Sequence, residues 1–166
     1  NTSPAYAIAI QALYAGAYAI RAALGARTGD DFVVGPLEGL WTSPDNSVFA
    51  ARDKDAWDWT MMIPLPDAVS SQDVADGLER GARKKPGLPI STLRALPLVE
   101  GRSLQILHVG TYDDEAATLA RLHDEVMPER GLTFNGPHHE IYLSDPRRVA
   151  PERMRTVLRQ PVRPVG

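Results

Sequence analysis

The chain has no cysteine in its 166 residues, which excludes a disulfide framework and any thiolate metal site. Positive charge is not in excess. Lys and Arg total 18 against 21 Asp and Glu, a net charge of −3, so the electrostatic footprint of a nucleic-acid binder is missing. Lysine is scarce, occurring only at Lys54, Lys84 and Lys85, and arginine supplies the rest of the positive charge. The sequence shows no run of the ~20 apolar residues that a membrane span requires. Its Ala-rich start is broken by Gln11, Gly16 and Arg21 and lacks the basic n-region of a secretory signal. Glycine-rich phosphate loops, HExxH spacing and a serine nucleophile elbow are also absent. What remains is an ordinary globular composition, 43% hydrophobic and 23% charged, suited to a cytoplasmic domain or two small pseudo-repeats sharing a core.

Hydrophobic periodicity predicts a first helix from Ser3 to Leu24, capped at Thr2-Ser3-Pro4, with Tyr6, Ile10, Leu13, Ala17, Ile20 and Leu24 as its stripe and Gly25 as its stop. Strands are expected at 32–41 and 57–63, with a further short one near 48–51. A helix over 70–85 starts at the Ser70 and Asp73 capping pair, with Val74 and Leu78 on its apolar side. Strands at 90–99 and 103–109 would meet in a hairpin at Glu100-Gly101-Arg102. A helix from Asp113 buries Leu119, Leu122, Val126 and Met127. A strand at 138–143, a helical turn at 151–154 and a last strand at 155–162 complete the order. The elements repeat: helix–strand–strand over 1–66, a connecting helix over 67–88, then strand–helix–strand–strand over 89–166. The first unit lacks the strand that 103–109 supplies in the second, and that strand is expected upstream of Asn1.

Two carboxylates stand inside apolar strand runs, Glu38 in PLEGLW and Glu140 in HHEIYL. An ionised Glu in such a place demands a partner or a cavity. Period-2 alternation puts His138, Glu140 and Tyr142 on one face and His139, Ile141 and Leu143 on the other. The apolar pair is expected to pack on the helix, which leaves Glu140 and Tyr142 facing a cleft that Glu38 lines from the other repeat. The three tryptophans, Trp41, Trp57 and Trp59, lie within nineteen positions and suit cavity walls, as does Tyr112 beside the helix cap at Asp113. The four histidines show no metal-ligand spacing.

Several strings together resemble the GyrI-like small-molecule-binding family: PLEGLW, WDWTMMI, LHVGTYDDE, HHEIYLSDP and TVLRQP, spread over nearly the whole chain. The resemblance implies an α+β fold of tandem strand–helix–strand–strand repeats whose antiparallel sheets form a central ligand cleft. It also implies flat, hydrophobic, often aromatic ligands. Stand-alone members include hydrolases that open the cyclopropane of DNA-alkylating natural products of the yatakemycin and CC-1065 type within an aromatic cage. On that reading Glu140 or Glu38 activates water, Tyr142 or Tyr112 donates to the developing oxyanion, and Trp41, Trp57, Trp59, Tyr112 and His138 contact substrate, with neither metal nor cofactor. The alternative is a binding module that sequesters or senses planar or cationic drugs without chemistry. The effector half of a transcription regulator, or a protein that acts on gyrase, are further roles that the family brings.

Overall fold

The computed structural model describes residues 3–42 and 58–166, as two compact units. The expected strand near 48–51 and Trp57 lie outside the described residues.

One unit, Asn1–Leu37 with Met61–Pro97, is built on two helices. Helix α1, Pro4–Thr28, starts where the Ser3 side chain accepts from the Tyr6 amide. It runs straight through Gly25 and ends four residues later than expected. Gly29, at φ 79°, provides the left-handed C-cap and donates back to the Gly25 carbonyl. By length and composition alone α1 would pass for a membrane span, contrary to the sequence reading. Core helices pass the same test, and Ala12, Gly16, Ala17, Ile20, Ala23 and Leu24 are buried within this unit.

Helix α2, Ser71–Lys84, begins in a complete capping box: Ser70 Oγ accepts from the Asp73 amide while Asp73 accepts from Ser70 N–H. Asp73 is 2% exposed and also takes a two-pronged bond from Arg27 on α1, at 2.8 and 2.7 Å. That guanidinium, with Ser70, holds its carboxyl far below the usual range. Leu78 reaches α1 at Gly16, but small residues make the closest approach of the two helices. The residues of α2 buried to the core limit are Asp73, Gly77 and Gly81. A Cβ on Gly77 would lie 2.6 Å from Ile20 Cα, so the two backbones touch where only glycine fits.

The other unit, Glu38–Thr60 with Leu98–Gly166, holds the sheet. Its strands are β1 (Leu37–Thr42), β2 (Asp58–Met62), β3 (Ser103–Val109), β4 (Leu132–Phe134), β5 (His138–Tyr142) and β6 (Arg155–Pro164). They order as β2-β1-β5-β6-β3, with β4 also on β6, in an open sheet whose pairings on β6 are antiparallel. Helix α3 runs from Glu115–Ala120 through a π turn, Arg121–Val126, into Met127–Glu129. Its Leu122 and Met127 are buried, and Met127 packs with Leu132 and Val162.

The expected strand at 90–99 does not form. Ile90, fully buried, sits in a 3-10 turn, Ile90–Thr92, and the rest runs unpaired with Leu96 and Val99 exposed. Pro89 and Pro97 remove ladder donors at both ends of the run. β4 was not expected; with three residues it is too short to leave a periodic signal.

Gly77→Ala should destabilise this protein by about 1–3 kcal/mol, because the new methyl meets backbone that cannot swing aside. Gly87→Ala, where a Cβ meets nothing within 4 Å, is the control and should denature with the wild type in urea.

Candidate functional site

The sheet has two chemically different faces, and the strand register assigns the residues to them. His139 pairs with Arg159 on β6, and Arg159 pairs with Gln105 on β3. Two residues along, Ile141 pairs with Val157, and Val157 with Leu107. These two rows share one face, since alternate residues of a strand point the same way. The intervening row, Glu140–Leu158–Ile106, points to the opposite face with His138, Tyr142, Thr156 and His108.

Helix α3 covers that opposite face. His108 Nδ1 lies 2.9 Å from Thr118 Oγ1, and the His123 ring stands edge-on to His138 at 5.9 Å. This reverses the expectation that Ile141 and Leu143 meet the helix. Ile141 lies away from α3, and Leu143, just past β5, is 52% exposed. Alternation gave the two sets of side chains correctly. The polar set, expected to face a cleft, is instead met by α3 with Thr118 and His123.

Beneath α3, His108 Nε2 is 3.0 Å from the Thr111 carbonyl, which can only accept, so Nε2 donates to it. This histidine ties β3 to the start of α3. Glu140 is 6% exposed, and its Oε1 is 3.6 Å from His138 Nε2, longer than a hydrogen bond. His138, also buried, has no hydrogen-bond partner on either ring nitrogen among the described residues. Nearer the end of β5 the Trp41 indole N–H donates to Tyr142 Oη at 3.1 Å, and Tyr112 meets Tyr142 edge-on at 5.7 Å. Three of the anticipated aromatics therefore gather on this face. Trp59 is half-buried on β2.

The other face carries a chain of charge. Glu38 Oε2 lies 3.0 Å from His139 Nε2, and His139 Nδ1 lies 3.0 Å from Glu100 Oε1. Arg159 donates to Glu100 Oε2 at 2.9 Å and to Gln105 Oε1 at 3.1 Å. His139 is 1% exposed. Burial pulls its pKa down, but the hydrogen bonds and charges of Glu38 and Glu100 outweigh that, and the net shift is upward. Both ring nitrogens face carboxylate oxygens, which accept only, so the geometry calls for an imidazolium donating twice. Glu38 and Glu140 thus leave the sheet on opposite faces. The expectation that both line one cavity is corrected by the Glu38–His139 bond, because His139 and Glu140 are adjacent on one strand.

Sequence reasoning missed His139, Glu100 and Arg159 as site residues. Glu38 and His139 are 101 residues apart and Glu100 and Arg159 are 59 apart, so no local spacing marks them. One signal was present. Gly35-Pro36 and Gly136-Pro137 precede the two strands, and counting from them makes His139 the counterpart of Glu38. Among the described residues no group of three His, Asp or Glu is placed to hold a metal ion.

Burial and the neighbouring His138 push His123 down to about 4. It is therefore neutral when folded and titrates near 6.5 when unfolded. Its stabilising contribution is complete above pH 6.5 and is lost as pH falls toward 4. His123→Gln should remove on the order of 2 kcal/mol of the stability difference between pH 7.5 and 4.5, read from urea midpoints.

The chain has well-defined relatives. It aligns with an uncharacterized conserved protein from Listeria innocua at 38% identity and TM-score 0.87, over 97% of this chain and 81% of that one. A hydrolase from Listeria innocua aligns at 38% identity and TM-score 0.79, over 95% and 79% of the two chains. A hydrolase encoded by lin2189 from the same organism aligns at 37% identity and TM-score 0.80, over 95% and 80%. No curated protein matches. The model of the GyrI-like small molecule binding domain matches residues 2–163, and the chain belongs to that family.

Proposed function

We propose that this small-molecule-binding domain is a hydrolase that adds water to an electrophilic carbon of a flat, hydrophobic ligand, with Glu38 as the general base. One observation carries the reading. Glu38 is fixed through Oε2 by a buried imidazolium, while its Oε1 accepts no hydrogen bond among the described residues and its side chain stays 14% exposed. A carboxylate held at one oxygen and open at the other suits the removal of a proton from water. Beside it lies the apolar row Ile141–Val157–Leu107, with Leu107 half exposed, a shelf on which a planar molecule would rest. Glu140 is the weaker candidate, since it is shut beneath α3 beside His138.

The names of two structural relatives support hydrolysis, and the motif resemblance narrows it to cyclopropane opening. For a cyclopropane conjugated to a dienone the step balances. Water oxygen bonds to the ring carbon, the carbon–carbon bond breaks, and its electron pair passes to the dienone oxygen as a phenolate. Glu38 takes the water proton and later returns it. The aromatic cluster of Trp41, Tyr112 and Tyr142 stands on the face of the sheet opposite Glu38, so it receives neither the cage role nor the oxyanion role for a ligand resting on this shelf. We place this activity in the cytoplasm as protection against alkylating natural products.

The binding-only reading needs Glu38 to pair a ligand cation. His139 already matches that charge, which favours chemistry over cation capture. Incubation with a cyclopropane-bearing alkylator should yield a water adduct by mass spectrometry over many turnovers. Glu38→Gln should lower kcat by ~10²–10⁴-fold with ligand affinity kept. Stoichiometric recovery of unchanged ligand from the wild type would establish the binder instead.

A further inference from the structure

The carboxylate of Glu38 is the end of a longer arrangement, whose far members reach it through His139. Glu100 lies just before Gly101, whose φ of 66° turns the chain directly into β3. That turn brings Glu100 back over the sheet, where it bridges His139 and Arg159. The residues facing His139 are Glu38 from β1, Glu100 from the 98–102 segment and, through Glu100, Arg159 from β6 with Gln105 from β3. Charge alternates along this line and sums to zero.

We propose that Glu100 and Arg159 are positioning residues that keep His139 doubly protonated and thereby fix Glu38 in the orientation from which it takes a proton. The inference rests on Glu38 being the base. Its logic is one of acceptors. If Glu100 loses its charge, Nδ1–H keeps at most a neutral acceptor, and burial then favours the neutral ring. A neutral imidazole with its proton on Nδ1 presents a lone pair, not an N–H, to Glu38, and the two repel. Arg159 acts one step further out. It neutralises Glu100 and holds its second oxygen, so that the carboxylate keeps its aim on Nδ1.

The test joins a spectroscopic readout to a kinetic one. In the wild type at pH 7 the ¹⁵N shifts of His139 should be those of an imidazolium, with both nitrogens protonated; a neutral ring there overturns the inference. Glu100→Gln keeps an oxygen for Nδ1 but removes the charge, and His139 should then titrate about one pH unit or more lower. The alkaline limb of kcat should move down with it while KM stays within about twofold, since neither residue touches ligand. Glu100→Asp should restore part of both shifts. Arg159→Gln should move both in the same direction by less, and serves if the Glu100 variants fail to fold. A lowered His139 titration with an unmoved rate profile, or no change in either, overturns the positioning role. Full turnover in Glu38→Gln overturns the assignment of the base instead, and the His139 titration still reports on Glu100.

Discussion

The structure of the sheet unit turns on the matching of one buried imidazolium. A charged histidine at 1% exposure is untenable alone, because desolvation of an ion costs several kcal/mol. His139 is sustained by two carboxylates from two other segments, and one of those by an arginine on the neighbouring strand. Such a row is poor evidence of stability in itself, since well-packed apolar residues do as well or better. Its value lies in geometry. Each member has its donors and acceptors assigned, so the row adds side-chain ties among β1, β5, β6 and β3 to the backbone ladders that pair β3 and β5 with β6.

The neighbouring strands β1 and β5 give this row its place. Glu38 and His139 are 101 residues apart, and so are Trp41 and Tyr142, which meet by a hydrogen bond. Equal separations in two contacts are what one constant register between two strands produces. At one pair an acid meets a base, and at the other two aromatics meet. A Glu–Glu contact at the first would repel, and a His–His contact would leave a buried ring unmatched.

Much of the architecture was legible because its signals are local. The Ser70 and Asp73 capping box, the stripe containing Ala17, Ile20 and Leu24, and the breaks at Gly-Pro each depend on residues a few positions apart. The helix contact at Gly77 was not legible, since glycine carries no apolar signal even where it makes the closest approach. The site was half legible. Glu38 stood out as an acid in an apolar strand, but its assumed counterpart, Glu140, was one residue out of register. In a strand a shift of one residue changes the face. That slip moved the second acid beneath α3 and hid His139, whose separation from Glu100 leaves no trace in sequence spacing.

The division of labour between the faces follows from what each can tolerate. Beneath α3 the polar groups are largely enclosed: His108 is buried between Thr118 and the Thr111 carbonyl, and burial keeps His123 uncharged until about pH 4. The acids near at hand are Glu140, the buried Glu115 and Asp124, whose charge does not offset the burial of His123. The opposite face already carries two positive and two negative groups in sequence, so moving a proton onto Glu38 shifts the local total by one unit within an array of fixed opposite charges. Preorganised charge of that kind responds to a reacting water without large rearrangement, whereas a lone buried carboxylate would be drawn toward its neutral form. On the proposed function, a sheet face with an apolar shelf beside a balanced ionic row suits uncharged ligands that acquire charge during reaction better than ligands that arrive with it.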